Sequence, residues 1–174
     1  NISPLLCASG QMIIDISKDW WQFAIGTREK PVTIAVLCRD TILRGWFDIN
    51  KGGLDLGLFA NIEMNLRSPW IDLGIVEFRG WAYFYFDFGA ELVIFWQPDF
   101  GIQKGLVFID IGAGIGIDYK TLLKDGSFTI AAVNLGGTLE FATVPEAYLR
   151  GEVHGKVTIL GISAGMSLNA NINF

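Results

Sequence analysis

The sequence predicts an all-β fold: an antiparallel meander of about 9–11 long strands, curled into a closed barrel or a sandwich. Three observations carry that reading. Apolar residues recur at every second position over long stretches. Turn-forming residues separate those stretches. No segment holds a helical period over three turns, so a parallel sheet with crossover helices is excluded.

The clearest strand runs from Leu54 to Leu66, with Leu54, Leu56, Leu58, Ala60, Ile62, Met64 and Leu66 on one face. At about 13 residues it is twice the usual length. The next, from Val76 to Trp96, keeps one parity through Phe78, Phe84, Phe86, Phe88, Leu92 and Ile94. It reads as one long strand, bent at Gly80 or Gly89. Val107 to Tyr119 repeats the alternation over a nearly bare opposite face, Gly112, Gly114 and Gly116. Ile162 to Phe174 repeats it again, opposite serines and asparagines. Weaker strands fit 11–16, 20–26, 32–38, 41–49, 128–140 and 147–160. Asn50-Lys51-Gly52-Gly53, Ser68-Pro69, Pro98-Asp99 and Lys124-Asp125-Gly126-Ser127 supply turns.

The 174 residues fit one domain, 1–174. A start at Asn1 without Met reads as a fragment or a module of a longer chain. Hydrophobic residues make up 51% and charged residues 18%. Roughly 25% charged is usual, so a chain this apolar must hide surface on neighbouring domains, other copies or lipid. The net charge of −5 and the absence of any basic run exclude a nucleic-acid footprint. Cys7 and Cys38 read as one disulfide or as buried thiols, the apolar run before Cys38 favouring the thiol. Two cysteines and one histidine do not make a metal site.

Few residues suggest chemistry. Gly112-Ala113-Gly114-Ile115-Gly116 departs from the dinucleotide spacing and lacks a following helix. It reads as a small-residue sheet face that a neighbouring sheet or a bulky side chain approaches closely. Asp110 and Asp118 share a face roughly 26 Å apart, and Asp87 and Glu91 about 13 Å apart, beyond acid–base cooperation along one strand. Carboxylates on adjacent strands can still converge. His154 alternates with Arg150, Glu152 and Lys156 on a solvated face. Trp81, Tyr83 and Tyr85, with Trp20, Trp21, Trp46, Trp70 and Trp96 near strand ends, read as packing under a second sheet, a carbohydrate platform or an interfacial belt. No catalytic, cofactor-binding or metal-ligating residue is assigned, and no enzyme activity is expected.

Two resemblances add to this. Met166, Leu168, Ala170, Ile172 and Phe174 form a strand that resembles the closing strand of bacterial outer-membrane β-barrels. Asp19-Trp20-Trp21 with Ile25-Gly26-Thr27, then Gly45-Trp46-Phe47, Gly80-Trp81-Ala82-Tyr83, Val144-Pro145, Gly151 and Ile159-Leu160-Gly161, is similar to a β-region of very large Bacteroidota-type surface or secreted proteins. It covers roughly 19–174 and departs at Glu146-Ala147, where another turn-forming pair is expected. That resemblance implies a module in a long multidomain chain and brings no activity.

A long apolar strand face must be covered by another sheet, by bilayer or by bound lipid. The expected role is therefore a non-enzymatic structural or interaction module of a larger bacterial surface, secreted or assembly protein. Its partners would be flanking domains or copies of itself, through the apolar face. An outer-membrane barrel and a lipid-binding sheet are the alternatives.

Overall fold

A computed structural model describes residues 6–36 and 40–174. The elements are β1 (Leu6–Ser9), β2 (Met12–Ile16), β3 (Trp21–Ile25), β4 (Val32–Val36), β5 (Asp40–Asn50), β6 (Gly53–Arg67), β7 (Ile71–Asp72), β8 (Val76–Phe95), β9 (Gly101–Thr121), β10 (Asp125–Ala142), β11 (Tyr148–Ile159) and β12 (Ile162–Asn173). Every pairing is antiparallel, and all twelve strands belong to one sheet.

The path β1-β4-β5-β6-β8-β9-β10-β11-β12 makes nine ranks. Three ranks are broken, one of them where β7 follows β6 along β8. β1 and β2 follow one another along the first, and β4 and β3 along the second, both docked on β5. Gly26, at φ 68, allows the excursion between β3 and β4. The sheet is open, with β1–β2 at one edge and β12 at the other. An antiparallel all-β meander is therefore present, and it does not close into a barrel within the described chain.

β8 is one strand of 20 residues. Its register runs unbroken through Gly80 and Gly89 and shifts only against β9, between Val93 and Ile94. There Gln103 is the extra residue of a bulge; Ile130 on β10 and Ile42 on β5 are others.

Register carries the alternation across the whole sheet. Ile62, Phe86, Ile111, Leu135, Gly155 and Met166 stand in one row on one face, across six ranks. From β6 to β12 this aliphatic face carries no charged residue. The other, polar face holds the acids, bases, asparagines and most of the glycines.

No side chain among the described residues is enclosed in a conventional core. The buried apolar residues are Ala24, Trp46 and Ala142. The accessible surface is 12006 Å² for 19.2 kDa, against about 8,400 Å² for a compact monomer of that mass. Aliphatic side chains such as Leu135, 55% exposed, and Leu168, 68% exposed, contribute to the excess.

The hairpin turns follow local chemistry. Asn50 Oδ1 accepts from the backbone N–H of Gly52 at 2.8 Å and of Gly53 at 3.2 Å, closing the β5–β6 turn. Leu160 and Gly161, at φ 50 and 79, form a two-residue turn between β11 and β12 of the kind that matches strand twist.

Candidate functional site: the polar face and its groove

The glycine run of β9 is a seat for rings. Trp81, Tyr83 and Tyr85 of β8 lie directly opposite Gly116, Gly114 and Gly112. A Cβ on any of these glycines would fall 2.2–2.6 Å from the facing ring. The rings stack at 5.9 and 6.3 Å and stay half-buried. Each reaches past β9 or along it with its polar end. Trp81 Nε1 donates to Ser127 Oγ at 3.1 Å, Tyr83 to Asn134 Oδ1 at 3.4 Å and Tyr85 to Asp110 Oδ1 at 3.2 Å. The expectation of a surface that a bulky group approaches holds, and the group comes from the neighbouring strand. No second sheet lies over these rings in the described chain.

The same device recurs on this face: Trp46 covers Gly57, Phe108 covers Gly89 and His154 covers Gly136, each in register. An aromatic ring laid over a cross-strand glycine shields backbone that glycine leaves bare.

Two ionic groups sit among the rings. In the first, the loop after Gly26 brings Arg28 over Trp46, 5.4 Å from the ring centroid. Arg28 pairs with Asp55 at 3.1 Å and with Glu91, and Lys104 Nζ approaches Glu91 at 2.7 Å. Glu91 is 6% exposed and lies between those two cations. The Asp55 hydrogen bond, then the charges of Asp55 and Glu91, raise Arg28 above the usual guanidinium value despite partial burial. In the second, Arg79 donates to Asp118 at 2.9 Å. That bond, with Ser127 behind it, holds the Asp118 carboxyl below the usual carboxylate range.

A groove of about 550 Å³ runs over this face, floored by Phe59 and Phe108 and bordered by Arg44, Asn61, Asp87, Asp110, Thr138 and His154. It is lined from β5 through β11. Laid flat, those ranks span about 24 Å, so the groove crosses much of the sheet.

Asp87 and Asp110 stand opposite each other in this groove, a convergence between adjacent strands. Asn61 donates to Asp87, and His154 Nε2 lies 4.0 Å from Asp110. Burial, then the charge of Asp110, raises the Tyr85 hydroxyl above the usual phenol value. Asp118 and Glu91 are held in their separate ion pairs. The groove thus offers aromatic floor, carboxylates, an amide and one cation, a surface able to hydrogen-bond hydroxyl-rich or cationic groups. Among the described residues no cluster of three or more His, Cys, Asp or Glu could hold a metal ion.

The remaining candidates are dispersed. Trp46 is buried within β5, away from any strand end. Trp70 carries Lys120 at 4.1 Å and Arg79 at 4.5 Å over its ring. Trp20 and Trp21 are exposed near Lys51, whose carbonyl accepts from Trp96 Nε1 at 2.8 Å. Cys7 is disulfide-bonded, so the thiol favoured by the sequence is not what β1 carries. Cys38 lies outside the described residues. The Arg28–Glu91–Lys104 cluster and the Asp87–Asp110 pair left no trace in the sequence, because both depend on register and on one loop excursion.

The aliphatic face has a groove of its own, about 470 Å³, over Gly137, Gly151 and Ala170 and between Val107, Leu139 and Leu168. No family, curated protein or solved structure matches this chain.

Proposed function

We propose that this chain is a non-enzymatic structural module of a larger bacterial surface, secreted or assembly protein, and that protein covers its aliphatic face. One observation carries the reading: a face uncharged from β6 to β12 and left open to solvent. The chain exposes roughly 3,600 Å² more surface than a compact monomer, and covering the apolar part of it is favourable by about 25 cal/mol per Å². Flanking domains or further copies of the chain supply the cover, as the second layer of a sandwich does.

A bilayer is the second reading, favoured by the segregation of polar residues to one face and aliphatic residues to the other. The length of the aliphatic block weighs against it. Phe78 to Ile94 on β8 spans about 53 Å, or roughly 37 Å when tilted by about 45°, against a band of about 25 Å.

Nitroxide labels test the reading in the intact assembly. With protein cover, a label at Leu135 is shielded from both dissolved oxygen and a water-soluble nickel chelate, while one at Lys156 on the polar face meets the chelate. Strong oxygen access with no chelate access at Leu135 identifies bilayer or bound lipid and overturns the proposal.

A further inference from the structure

The two edges of the sheet differ. The β1–β2 edge is broken into strands of 4 and 5 residues and carries Asp15. Short strands and charges are the ordinary protection of a sheet edge. β12 has neither. It runs 12 residues, contains no charge and no proline, pairs with β11 without a register break, and is exposed at every position. Its outer side presents a full row of backbone donors and acceptors, unpaired among the described residues.

Its side chains are also self-complementary. On the aliphatic face the strand reads Ile162, Ala164, Met166, Leu168, Ala170, Ile172. Laid antiparallel against a second copy at full overlap, Ile162 meets Ile172, Ala164 meets Ala170 and Met166 meets Leu168. Large meets large and small meets small, in both halves. On the polar face Ser163 meets Asn171, Gly165 meets Asn169 and Ser167 meets its own counterpart. No like charges oppose each other, and directly opposed apolar pairs contribute roughly 0.2–1 kcal/mol each. Because the opposed residues match in face, the two-fold axis stands perpendicular to the sheet. The aliphatic faces of both copies then join without interruption.

We propose that β12 is a strand-addition interface for a second copy of this chain, paired antiparallel about Ser167. This stands whether protein, bilayer or lipid covers the aliphatic face. The occupant is a second copy because the strand matches itself, and the match uses its whole length.

Pulsed and continuous-wave spin-label spectroscopy on the full chain, in detergent where solubility requires it, tests both partner and register. Nitroxides at Ser167 of the two copies should fall within about 10 Å and broaden one another. Labels at Ser163 and labels at Asn171, each offset from its counterpart by about eight residues, should give equal separations of roughly 26 Å. Ser167→Lys places two cations opposite each other and should weaken the dimer by roughly two- to fivefold, with an unchanged far-UV spectrum. A monomer throughout, no broadening at Ser167, or unequal separations at Ser163 and Asn171 overturns the proposal. So does Ser167→Lys leaving the association unchanged.

Discussion

The ring of Tyr85 lies across Gly112, its register partner on β9, and its hydroxyl reaches Asp110 two residues along. A Cβ at Gly112 would stand 2.2 Å from Tyr85 Cε1 and 2.4 Å from Asn134 Oδ1. Gly112→Ala must therefore displace the ring and break the ladder. We expect a loss of about 1–3 kcal/mol, read from the denaturant midpoint, with a reduced near-UV aromatic signal. Gly151→Ala, whose nearest neighbour would be at 3.7 Å, should be nearly silent by the same measures.

The opposed Asp87 and Asp110 carry like charges across one strand pair. Asp87→Asn should raise the urea midpoint at neutral pH by the equivalent of about 0.2–1 kcal/mol. A destabilised variant at neutral pH would mean that a cation shared by the pair matters more than their repulsion.

Arg28 joins the loop after Gly26 to two strands beyond its own. Arg28→Ala leaves buried Glu91 with Lys104 alone and uncovers Trp46. The expected cost is about 1–3 kcal/mol, with a red shift of tryptophan emission. Arg28→Lys should recover only part of it, since one ammonium cannot reproduce the fork that reaches both Asp55 and Glu91.

Asp118 contributes to an acid limb of stability. Its folded pKa lies below the unfolded value, so the Arg79 pair stabilises fully above the usual carboxylate range. That contribution fades as pH falls through the folded pKa. Asp118→Asn should flatten this part of the stability–pH curve below about pH 4. An acid limb of unchanged slope would assign it to other carboxylates.

Leu160 holds φ 50 at a solvent-exposed turn, a backbone state that costs a bulky L-residue roughly 1–2 kcal/mol. Leu160→Asn keeps the turn and relieves part of that cost. The thermal midpoint should rise, and β11–β12 amide protection should increase rather than fall.

Much of the sheet was legible in the sequence. Alternation located β6, β8 and β12 to within a residue or two, because nothing in them disturbs the period. β9 was seen only from Val107, although it starts at Gly101. The extra residue Gln103 moves Ile102 to the parity opposite that of Val107, so the pattern seems to stop where it only shifts. Ile130 does the same to β10, separating Phe128 from the odd-numbered run that follows. The candidate site was scarcely legible. Asp87 facing Asp110, and rings seated on Gly112, Gly114 and Gly116, are facts of register between strands. One strand's alternation contains no information about its offset from the next.

The break at Gly10 and Gln11 carries a consequence for growth. An arriving strand can read at most about five consecutive residues before the first rank changes from β2 to β1. Such an edge is a poor template, while β12 is a good one. The proposed pairing of β12 about a two-fold would consume the good template and leave only two poor ones facing outward. Lateral polymerisation would then end at two copies, keeping the aliphatic surface from seeding fibres along these edges.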